Sequence, residues 1–362
     1  MHQKKKIILS VTNDLTTDQR LHKVCTSLEE NGFDVTLVGR RLPYSQKVKR
    51  KYKIKRFKLP FHNGALFYAS YNLRLFFYLL FTKADCFLAN DLDTLLANYW
   101  AAKIKRKPLV YDSHELFTEV PELINRPKIQ RIWQRIEGYI LPKIKHAYTV
   151  CYSISEHYKS LYGIEMEVIR NFPKKTEQQV VQKRNYLIYQ GVLNVDRGLE
   201  ELIAAMQFVD GYILILAGGG DIELALNHLV RKLKLKNKVK FLGRLPLETL
   251  QQYTQKSQVG FSLEKNVGLN YEYALPNKVF DYLNAGVPVI YSDLKEVKST
   301  LADFEVGEEL RSYEAAEMGK QITDFLENPN YSTWVKNCNE ASKIFNWENE
   351  ERKLVKLFKD MV

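Results

Sequence analysis

The stretch KIILSVTNDLTTDQRLHKVCTSLEENGFDVTLVG (6–39) decides the fold. It begins and ends with short apolar runs, 6–11 and 34–39, whose composition is typical of buried strands. Apolar residues between the two runs recur at the spacing of one helix face, and Thr16 with Gln19 fits a capping box where that helix begins. A strand, a helix and a second strand in this order predict a βαβ unit with parallel strands.

The same alternation of apolar runs and helical patterns continues through both halves of the chain. The runs predicted as strands are 6–11, 34–39, 86–89, 108–111 and 147–152 in the first half, and 186–191, 212–218, 238–243, 259–263 and 287–292 in the second. Continuous apolar strands separated by helices are typical of parallel sheets that are covered on both faces. The predicted fold class is therefore α/β, with two doubly wound, Rossmann-like domains.

A polar segment, RNFPKKTEQQVVQKRN (170–185), separates the two halves and is the best candidate for a linker. It predicts a first domain over 1–170 and a second over 171–345. Doubly wound sheets bind ligands at the carboxyl ends of their strands, so we expect the functional residues in the loops that directly follow strands. With two such domains, the expected site is the cleft between them.

The composition of the 362 residues is that of a globular protein, with 45% hydrophobic and 27% charged residues. There are 54 basic and 42 acidic residues, and the net charge of +12 favours an anionic partner. The four cysteines are far apart, which excludes a disulfide scaffold and a zinc site. The longest apolar run, LFFYLLF (75–81), is too short to span a membrane, and the start of the chain lacks a signal-peptide core. We therefore expect a cytoplasmic protein.

The segment GVLNVDRGLEELIAAM (191–206) follows a predicted strand, and its apolar spacing starts a helix near Arg197 or Gly198. A cation at the N-terminal end of a helix is disfavoured by roughly 0.3–1 kcal/mol. Arg197 is then either a solvated loop residue or a ligand for an anion bound at the helix N-terminus. Gly198 would allow that anion to approach the backbone closely.

A second cation at the unfavourable N-terminal end of a predicted helix lies in NYEYALPNKVFDYLNAGVPVIYSD (270–293). A helix is predicted to begin at Asn277, which puts Lys278 in its first turn and Asp281 three residues further on. The two charges form either a plain surface pair or a site in which Lys278 contacts a diphosphate and Asp281 accepts hydrogen bonds from ribose hydroxyls. Two misplaced cations in one domain favour a shared polyanionic ligand.

Two further loops follow strands. LAGGGD (216–221) is a glycine turn that either is purely structural or lets a ligand approach the backbone; it lacks the GxGxxG spacing. YDSHELFTEVPEL (111–123) places Asp112, His114 and Glu115 directly after a strand. A histidine flanked by carboxylates is suited to contact substrate hydroxyls, whereas no second histidine lies at metal-ligand spacing.

A strongly basic run, KVKRKYKIKRFK (47–58), precedes the aromatic-rich segment 65–81. One interpretation is a patch that binds a membrane surface or an anionic acceptor. The other is an exposed charged strand followed by a buried helix.

Taken in order, these segments resemble the GT-B glycosyltransferases of glycosyltransferase family 4, the retaining nucleotide-sugar enzymes of glycan and glycolipid assembly. The similar segments are DQRLHKVCTSLEENGFDVTLVG (18–39), YDSHEL (111–116), VIRNFP (168–173), QGVLNVDRGLEELI (190–203), FLGRLPLETLQQYTQKSQVGFSL (241–263), FDYLNAGVPVI (280–290) and FNWENEERKLVKLF (345–358). The resemblance implies a C-terminal helix, about 346–362, that crosses back onto the first domain.

The resemblance also implies a set of donor-binding residues: Gly191, Arg197, Gly198, Gly218, Gly243, Asn277, Lys278 and Asp281. The family commonly carries a Glu-x7-Glu motif, whose second acid corresponds to Asp281 and whose first corresponds to Tyr273 here. This departure, together with LPNK (275–278), indicates a variant subgroup.

The implied reaction moves a sugar with retention from a nucleotide-diphosphate sugar to a saccharide or lipid-linked acceptor, in polysaccharide synthesis. No metal or other cofactor is implied, because Arg197 and Lys278 would neutralise the leaving diphosphate. His114 would bind the transferred sugar, with Asp112 and Glu115 on the acceptor side. Peripheral contact with the inner membrane face through the basic first domain is a further expectation.

Three alternatives stay open on the sequence. A sugar-nucleotide epimerase or a phosphorylase would have the same architecture, and Tyr273 leaves room for a protein that binds a nucleotide-sugar without catalysis. A nucleic-acid-binding protein would agree with the net charge, but no recognised motif supports it and the charge is spread along the chain.

Overall fold

The structure is a computed structural model that describes residues 4–16, 18–176 and 181–361. It consists of two compact units, Met1–Asn171 with Glu350–Val362 and Phe172–Asn349. The division falls at the start of the linker predicted over 170–185, of which residues 177–180 lie outside the described part of the chain.

The described part of the first unit folds as one sheet with helices on its faces. Its strands are β1 (Lys6–Asp14), β2 (Asp34–Arg41), β3 (Lys53–Lys58), β4 (Cys86–Asn90), β5 (Leu109–Ser113), β6 (His146–Thr149) and β7 (Glu167–Val168). Its helices are α1 (Gln19–Glu30), α2 (Gly64–Phe81), α3 (Leu92–Lys105), α4 (Pro121–Ile124), α5 (Pro127–Ile140) and α6 (Tyr152–Tyr162), with 3-10 turns at Phe117–Glu119 and Leu141–Lys143. All strands are parallel, in the order β3-β2-β1-β4-β5-β6-β7.

The second unit repeats this design with a smaller sheet. Its strands are β8 (Tyr186–Gln190), β9 (Ile213–Ala217), β10 (Val239–Gly243), β11 (Val259–Ser262), β12 (Val289–Tyr291) and β13 (Gly307–Glu309). Its helices are α7 (Leu199–Ala205), α8 (Glu223–Lys232), α9 (Leu247–Lys256), α10 (Leu269–Glu272), α11 (Asn277–Asn284), α12 (Lys295–Leu301), α13 (Ala315–Leu326) and α14 (Tyr331–Ile344), with a 3-10 turn at Met206–Phe208. The parallel order is β10-β9-β8-β11-β12-β13.

The last helix, α15 (Trp347–Met361), begins in the second unit, and from Glu350 onward it is part of the first. Its Phe358 is buried and meets the ring of Phe33, next to β2, with the ring centroids 6.3 Å apart. Two parallel-sheet, Rossmann-like domains confirm the predicted fold class.

The start of the first helix differs from the sequence prediction. Asp18 caps α1, because its Oδ1 accepts a hydrogen bond from the backbone N–H of Leu21 at 3.0 Å. The capping box assigned to Thr16 and Gln19 is therefore wrong. An aspartate at the N-cap satisfies an otherwise unpaired N–H group and places negative charge at the positive end of the helix.

The basic run 47–58 ends in β3, an edge strand in which the three lysines are exposed and Phe57 is buried, which agrees with the exposed-strand interpretation. The helix that follows, α2, is buried only along one side, through Phe67, Tyr71, Leu75 and Leu79. No helix in the described ranges is long and apolar enough to cross a membrane.

The order of the strands decides which loops meet in the second unit. The chain moves outward from β8 to β9 and β10, then returns to place β11 on the other side of β8. The loops that leave β8 and β11 therefore emerge side by side at the carboxyl edge of the sheet, where ligands bind in folds of this kind. In the first unit, β1 and β4 form the corresponding pair.

The glycine turn after β9 is fixed by close backbone packing against the end of β8. A Cβ on Gly218 would lie 1.7 Å from the carbonyl oxygen of Gly191, and a Cβ on Gly220 would lie 2.3 Å from that of Leu193. Gly218 also has a φ of +151°, which favours glycine. Packing alone therefore accounts for glycine at these two positions.

Replacing Gly218 by alanine tests this packing. We expect Gly218→Ala to lower the free energy of unfolding by about 3 kcal/mol, because the added methyl displaces the backbone of Gly191. Gly243→Ala is the matched control: its φ is +62°, but no atom lies within 4 Å of the added Cβ, so only backbone strain of about 1 kcal/mol is expected. Chemical denaturation that gives equal losses for the two variants would contradict the close contact.

Candidate active site

The two cations predicted from the sequence meet on one buried carboxylate. In the second unit, Nη1 of Arg197 lies 3.1 Å and Nζ of Lys278 lies 2.5 Å from Oε1 of Glu264. The hydroxyl of Ser262 donates to the other carboxylate oxygen, Oε2, at 2.7 Å. The structure thus brings Arg197 and Lys278 together, although they are 81 positions apart in the sequence.

Backbone geometry places these groups. Glu264 lies two residues beyond β11, next to the loop that leaves β8. Gly198 is the N-cap of α7 with a φ of +65°, and a Cβ there would be 2.7 Å from Cβ of Leu263. The loop can therefore pack against Leu263 only with glycine at 198, and this contact holds Arg197 beside Glu264.

The electrostatics of this cluster leave a net positive charge. Burial alone would raise the pKa of Glu264, but Lys278 and Arg197 outweigh it and lower that pKa to about 2. One carboxylate thus balances only one of the two cations. Nε of Arg197 is buried and has no hydrogen-bond partner among the described residues, so the guanidinium retains a donor for an anion.

Aromatic rings flank both cations. Nζ of Lys278 lies 4.1 Å from the centroid of the Tyr189 ring, and the guanidinium of Arg197 lies 5.5 Å from that of Tyr271. Such contacts stabilise a cation without using its hydrogen-bond donors.

The interpretation of Lys278 and Asp281 as a surface ion pair is wrong, because Lys278 is buried and donates a hydrogen bond to Glu264. Oδ2 of Asp281 accepts a hydrogen bond from Nε2 of Gln190 at 2.9 Å, and Oε1 of Gln190 accepts one from the hydroxyl of Thr254 at 2.7 Å. Asp281 also lines a small pocket with residues of α9, including Leu250. The carboxylate is thus directed toward α9.

The other predicted donor-binding residues take different positions around the cluster. A Cβ on Gly191 would lie 3.4 Å from Cε of Lys278, so this glycine borders the cation directly. The N–H of Gly218 donates to the carbonyl of Gly243 at 2.8 Å, which joins the ends of β9 and β10. Asn277 is the exposed first residue of α11. Tyr273, at the family's acidic position, faces Lys295, whose Nζ lies 5.2 Å from the ring centroid.

A second polar cluster lies in the first unit, around His114. Nε2 of His114 is 2.9 Å from Oδ2 of Asp112, and Nδ1 is 3.2 Å from Oδ2 of Asp91. Nη2 of Arg20 donates to Oδ1 of Asp112 at 2.8 Å, and its Nη1 donates to the carbonyl of Ile169 at 3.2 Å. The cluster assembles because β4 and β5 are neighbours, so Asp91 and His114 leave the same edge of the sheet.

The charges in this cluster support each other. Burial opposes the charged ring of His114, but the attraction of Asp112 and Asp91 outweighs burial and raises the pKa of His114 to about 9. Burial also opposes the charged form of Asp112, yet Arg20 and His114 lower its pKa to about 2. His114 is therefore an imidazolium at neutral pH, and both of its ring nitrogens already face carboxylates.

The two predicted acceptor-side residues differ in exposure. Asp112 is the fourth residue of β5 and is fully buried, and both of its oxygens are occupied by Arg20 and His114. In this arrangement Asp112 positions His114, and its predicted role on the acceptor side stays a prediction. Glu115 is exposed.

Three residues at the centre of these clusters, Glu264, Arg20 and Asp91, were missed in the sequence. Glu264 and Asp91 both follow strands, and the search for loops after strands could have found them. Arg20 gives no such signal, because an arginine in a helix is expected to be exposed to solvent. Only the structure shows that it is buried. Among residues 4–16, 18–176 and 181–361, no group of three or more His, Cys, Asp or Glu side chains could hold a metal ion.

The two parallel-sheet, Rossmann-like domains are those of the GT-B class, and comparison with known families agrees. Residues 18–172 match the model of Glycosyltransferase Family 4, and residues 171–343 match that of Glycosyl transferases group 1. Together the two models account for most of the chain, which is a GT-B glycosyltransferase of the family-4-like kind. No curated protein sequence matches it at a significant level.

Solved structures share the fold at low sequence identity. Sucrose-phosphate synthase from Thermosynechococcus elongatus is 17% identical, with a TM-score of 0.78 and 99% of each chain covered. HepE from Anabaena, solved in complex with UDP and glucose, is 16% identical, with a TM-score of 0.75 over 98% of this chain and 100% of its own. A mutant of TarM from S. aureus, solved with fondaparinux, α-GlcNAc-glycerol and UDP, is 10% identical, with a TM-score of 0.76 over 98% and 99%.

Neutralising Glu264 tests its role between the cations. Its lowered pKa means that its ionised form stabilises the fold above about pH 4.5, and that this contribution is lost as the pH falls toward 2. We expect Glu264→Gln to lower the free energy of unfolding at pH 7 by about 3 kcal/mol and to flatten its decline between pH 4.5 and 2.

Glu248→Gln, which removes an exposed carboxylate from α9, is the matched control and should change stability by less than about 0.5 kcal/mol. Urea titrations at a series of pH values measure both effects. If the free energy of unfolding of Glu264→Gln declined between pH 4.5 and 2 as steeply as that of the wild type, Glu264 would not be holding the two cations.

The charge state of His114 can be measured directly by NMR titration of the imidazole protons. We expect a pKa near 9 for His114, in contrast to His146 and His157, whose pKa values burial lowers below 6.5. Asp112→Asn should bring the pKa of His114 down, because it removes the nearer carboxylate. A wild-type value close to 6.5 would show that the two aspartates do not hold the ring charged.

Proposed function

We propose that this protein transfers a sugar, with retention of its anomeric configuration, from a nucleotide-diphosphate sugar to a saccharide or lipid-linked acceptor, as in the synthesis of cell-surface polysaccharides. The observation that carries the proposal is the pairing of Arg197 and Lys278 on Glu264, with one positive charge in excess and a free donor on Arg197. HepE and the TarM mutant were both solved with UDP, which agrees with a nucleotide-sugar donor.

The proposed chemistry follows from the charge that develops as the glycosidic bond breaks. The leaving nucleoside diphosphate gains negative charge, and Arg197 and Lys278 stabilise it without a metal ion or other cofactor. Glu264 fixes both cations before the substrate arrives, so little reorganisation is needed in the transition state. The acceptor hydroxyl attacks on the face from which the diphosphate leaves and gives its proton to the departing phosphate oxygen. Attack on that face gives retention.

His114 binds the transferred sugar in this proposal, but only by exchanging one of its present partners. The ring nitrogen that faces Asp91 is the better candidate, since that distance is 3.2 Å against 2.9 Å to Asp112, and Asp91 is partly exposed while Asp112 is not. A sugar hydroxyl would then replace Asp91 at Nδ1, while Asp112 and Arg20 keep the ring in place.

The donor can be identified by thermal unfolding in the presence of UDP-, GDP- and ADP-sugars, because a ligand that binds the folded state raises its stability. With the stabilising donor in a transfer assay, we expect Arg197→Ala to reduce kcat about 100-fold, since one preorganised donor to the developing charge is lost. Arg311→Ala, which removes an exposed arginine of the same unit, is the matched control and should retain activity.

The products distinguish this proposal from its alternatives. A sugar found only on an added acceptor supports transfer, whereas an epimerised donor or a sugar phosphate formed with inorganic phosphate would assign a different reaction. Wild-type turnover in Arg197→Ala would show that this arginine is not at the reacting diphosphate.

A further inference from the structure

The side chain of Gln190, the last residue of β8, is buried against two helices of the second unit. Its Nε2 donates to Oδ2 of Asp281 in α11 at 2.9 Å, and its Oε1 accepts from the hydroxyl of Thr254 in α9 at 2.7 Å. Thr254 is buried as well. Both ends of the Gln190 amide are therefore used inside the protein, and they link β8 to α9 and to α11.

The backbone around this amide is also fixed. The backbone N–H of Gln190 donates to the hydroxyl of Tyr282 at 3.1 Å, and that hydroxyl donates to the carbonyl of Phe261 in β11 at 3.1 Å. A Cβ on Gly260 would lie 2.5 Å from the ring of Tyr282, so α11 packs closely on the sheet. Because Tyr282 follows Asp281 in α11, the backbone of Asp281 keeps its position relative to β8. Only the side-chain torsions of this acid remain to be set.

One orientation of the Gln190 amide satisfies both partners. If the amide were flipped, its oxygen would face the carboxylate of Asp281 at 2.9 Å, and two acceptors would repel each other. In the structure, the amide nitrogen faces an acceptor and the amide oxygen faces a hydroxyl that can donate. The hydroxyl of Thr254 has a second acceptor, the carbonyl of Leu250 at 3.0 Å, so the loss of Gln190 would not leave it unpaired.

This arrangement lies directly beside the cations of the second unit. Gly191 follows Gln190, and a Cβ on it would lie 3.4 Å from Cε of Lys278. Lys278 and Asp281 are three residues apart in α11, so they lie on the same side of the helix, about one turn apart. If the diphosphate of a nucleotide binds Lys278, the ribose, which is joined directly to the diphosphate, comes within reach of Asp281.

The chemistry of the two partners suits a ribose. A carboxylate accepts hydrogen bonds at about four lone-pair positions on its two oxygens, and sugar hydroxyls can donate to them. Gln190 uses one position on Oδ2 of Asp281 and thereby fixes the rotation of the carboxylate. A neutral amide does this without placing a cation next to the acid, so the charge of the carboxylate still strengthens its hydrogen bonds to hydroxyls.

We propose that Gln190 is a positioning residue that orients the carboxylate of Asp281 toward the ribose hydroxyls of the donor, and that this pair selects a ribonucleotide. The inference rests on the proposed function, because it concerns the donor of that reaction. Thr254 holds the amide of Gln190 in the orientation that Asp281 needs. If Gln190 only joined β8 to α11, its loss would lower stability and leave the preference between nucleotides unchanged.

Nucleotide binding tests the inference without turnover. Isothermal titration calorimetry with the full chain compares UDP, GDP and ADP with their 2′,3′-dideoxy analogues, which lack both ribose hydroxyls. We expect the wild type to bind its preferred ribonucleotide about 30-fold more tightly than the dideoxy analogue, because hydrogen bonds to a charged group are lost. Gln190→Met keeps the length of the side chain but removes both hydrogen bonds, and it should reduce this ratio to about threefold.

A double-mutant comparison shows whether the effect acts through the acid. Asp281→Asn should also reduce the preference, and adding Gln190→Met to it should change the ratio by less than about twofold. Gln252→Met, which replaces an exposed glutamine of α9, is the matched control and should keep the wild-type ratio. Thr254→Val removes the hydroxyl that holds the amide and should reduce the ratio about threefold, which gives a second test if Gln190→Met does not fold.

The transfer assay gives an independent measurement. We expect Gln190→Met to raise the KM for the donor about tenfold and to change kcat by less than about twofold, because the ribose contact is the same in the ground state and in the transition state.

Three outcomes would overturn the inference: a wild-type ratio in Gln190→Met, an equal loss of preference when Asp281 has already been replaced, or a wild-type protein that does not distinguish the dideoxy analogue. In each of these cases a bound diphosphate would still support the proposed function, so the two failures can be told apart. If none of the three nucleotides bound to the wild type, the proposed donor and this inference would both be wrong. Thermal unfolding shows whether each variant is folded.

Discussion

The buried carboxylate of Glu264 is the constraint on which the second unit's site depends. A lysine as buried as Lys278 is stable in its charged form only next to an opposite charge, and Glu264 is the partner that the structure provides. The same carboxylate anchors Arg197, which would otherwise be a mobile loop side chain. One acid thus converts two cations that are unfavourable at helix N-termini into a rigid positive group.

The first unit also has a buried carboxylate between two cationic groups, but the charges there are balanced differently. Asp112, like Glu264, is fully buried, lies at the carboxyl edge of a parallel sheet and has a pKa of about 2 between two cationic groups. There, however, Asp91 supplies a second acid, so that Arg20 and His114 are balanced. Only the cluster around Glu264 carries a surplus positive charge. In the proposed reaction, this difference agrees with a diphosphate bound in the second unit and with neutral hydroxyls bound by His114.

The sequence predicts the fold well because the strands of parallel sheets are continuous apolar runs, and each run predicted here lies at a strand. It leaves β3 as one of two interpretations of the charged run 47–58, and it misses the very short β7 and β13. In the site, Arg197 and Lys278 could be found because each breaks a local rule at a helix start. Glu264 could not be paired with them from sequence, since their meeting depends on the strand order that places β11 beside β8.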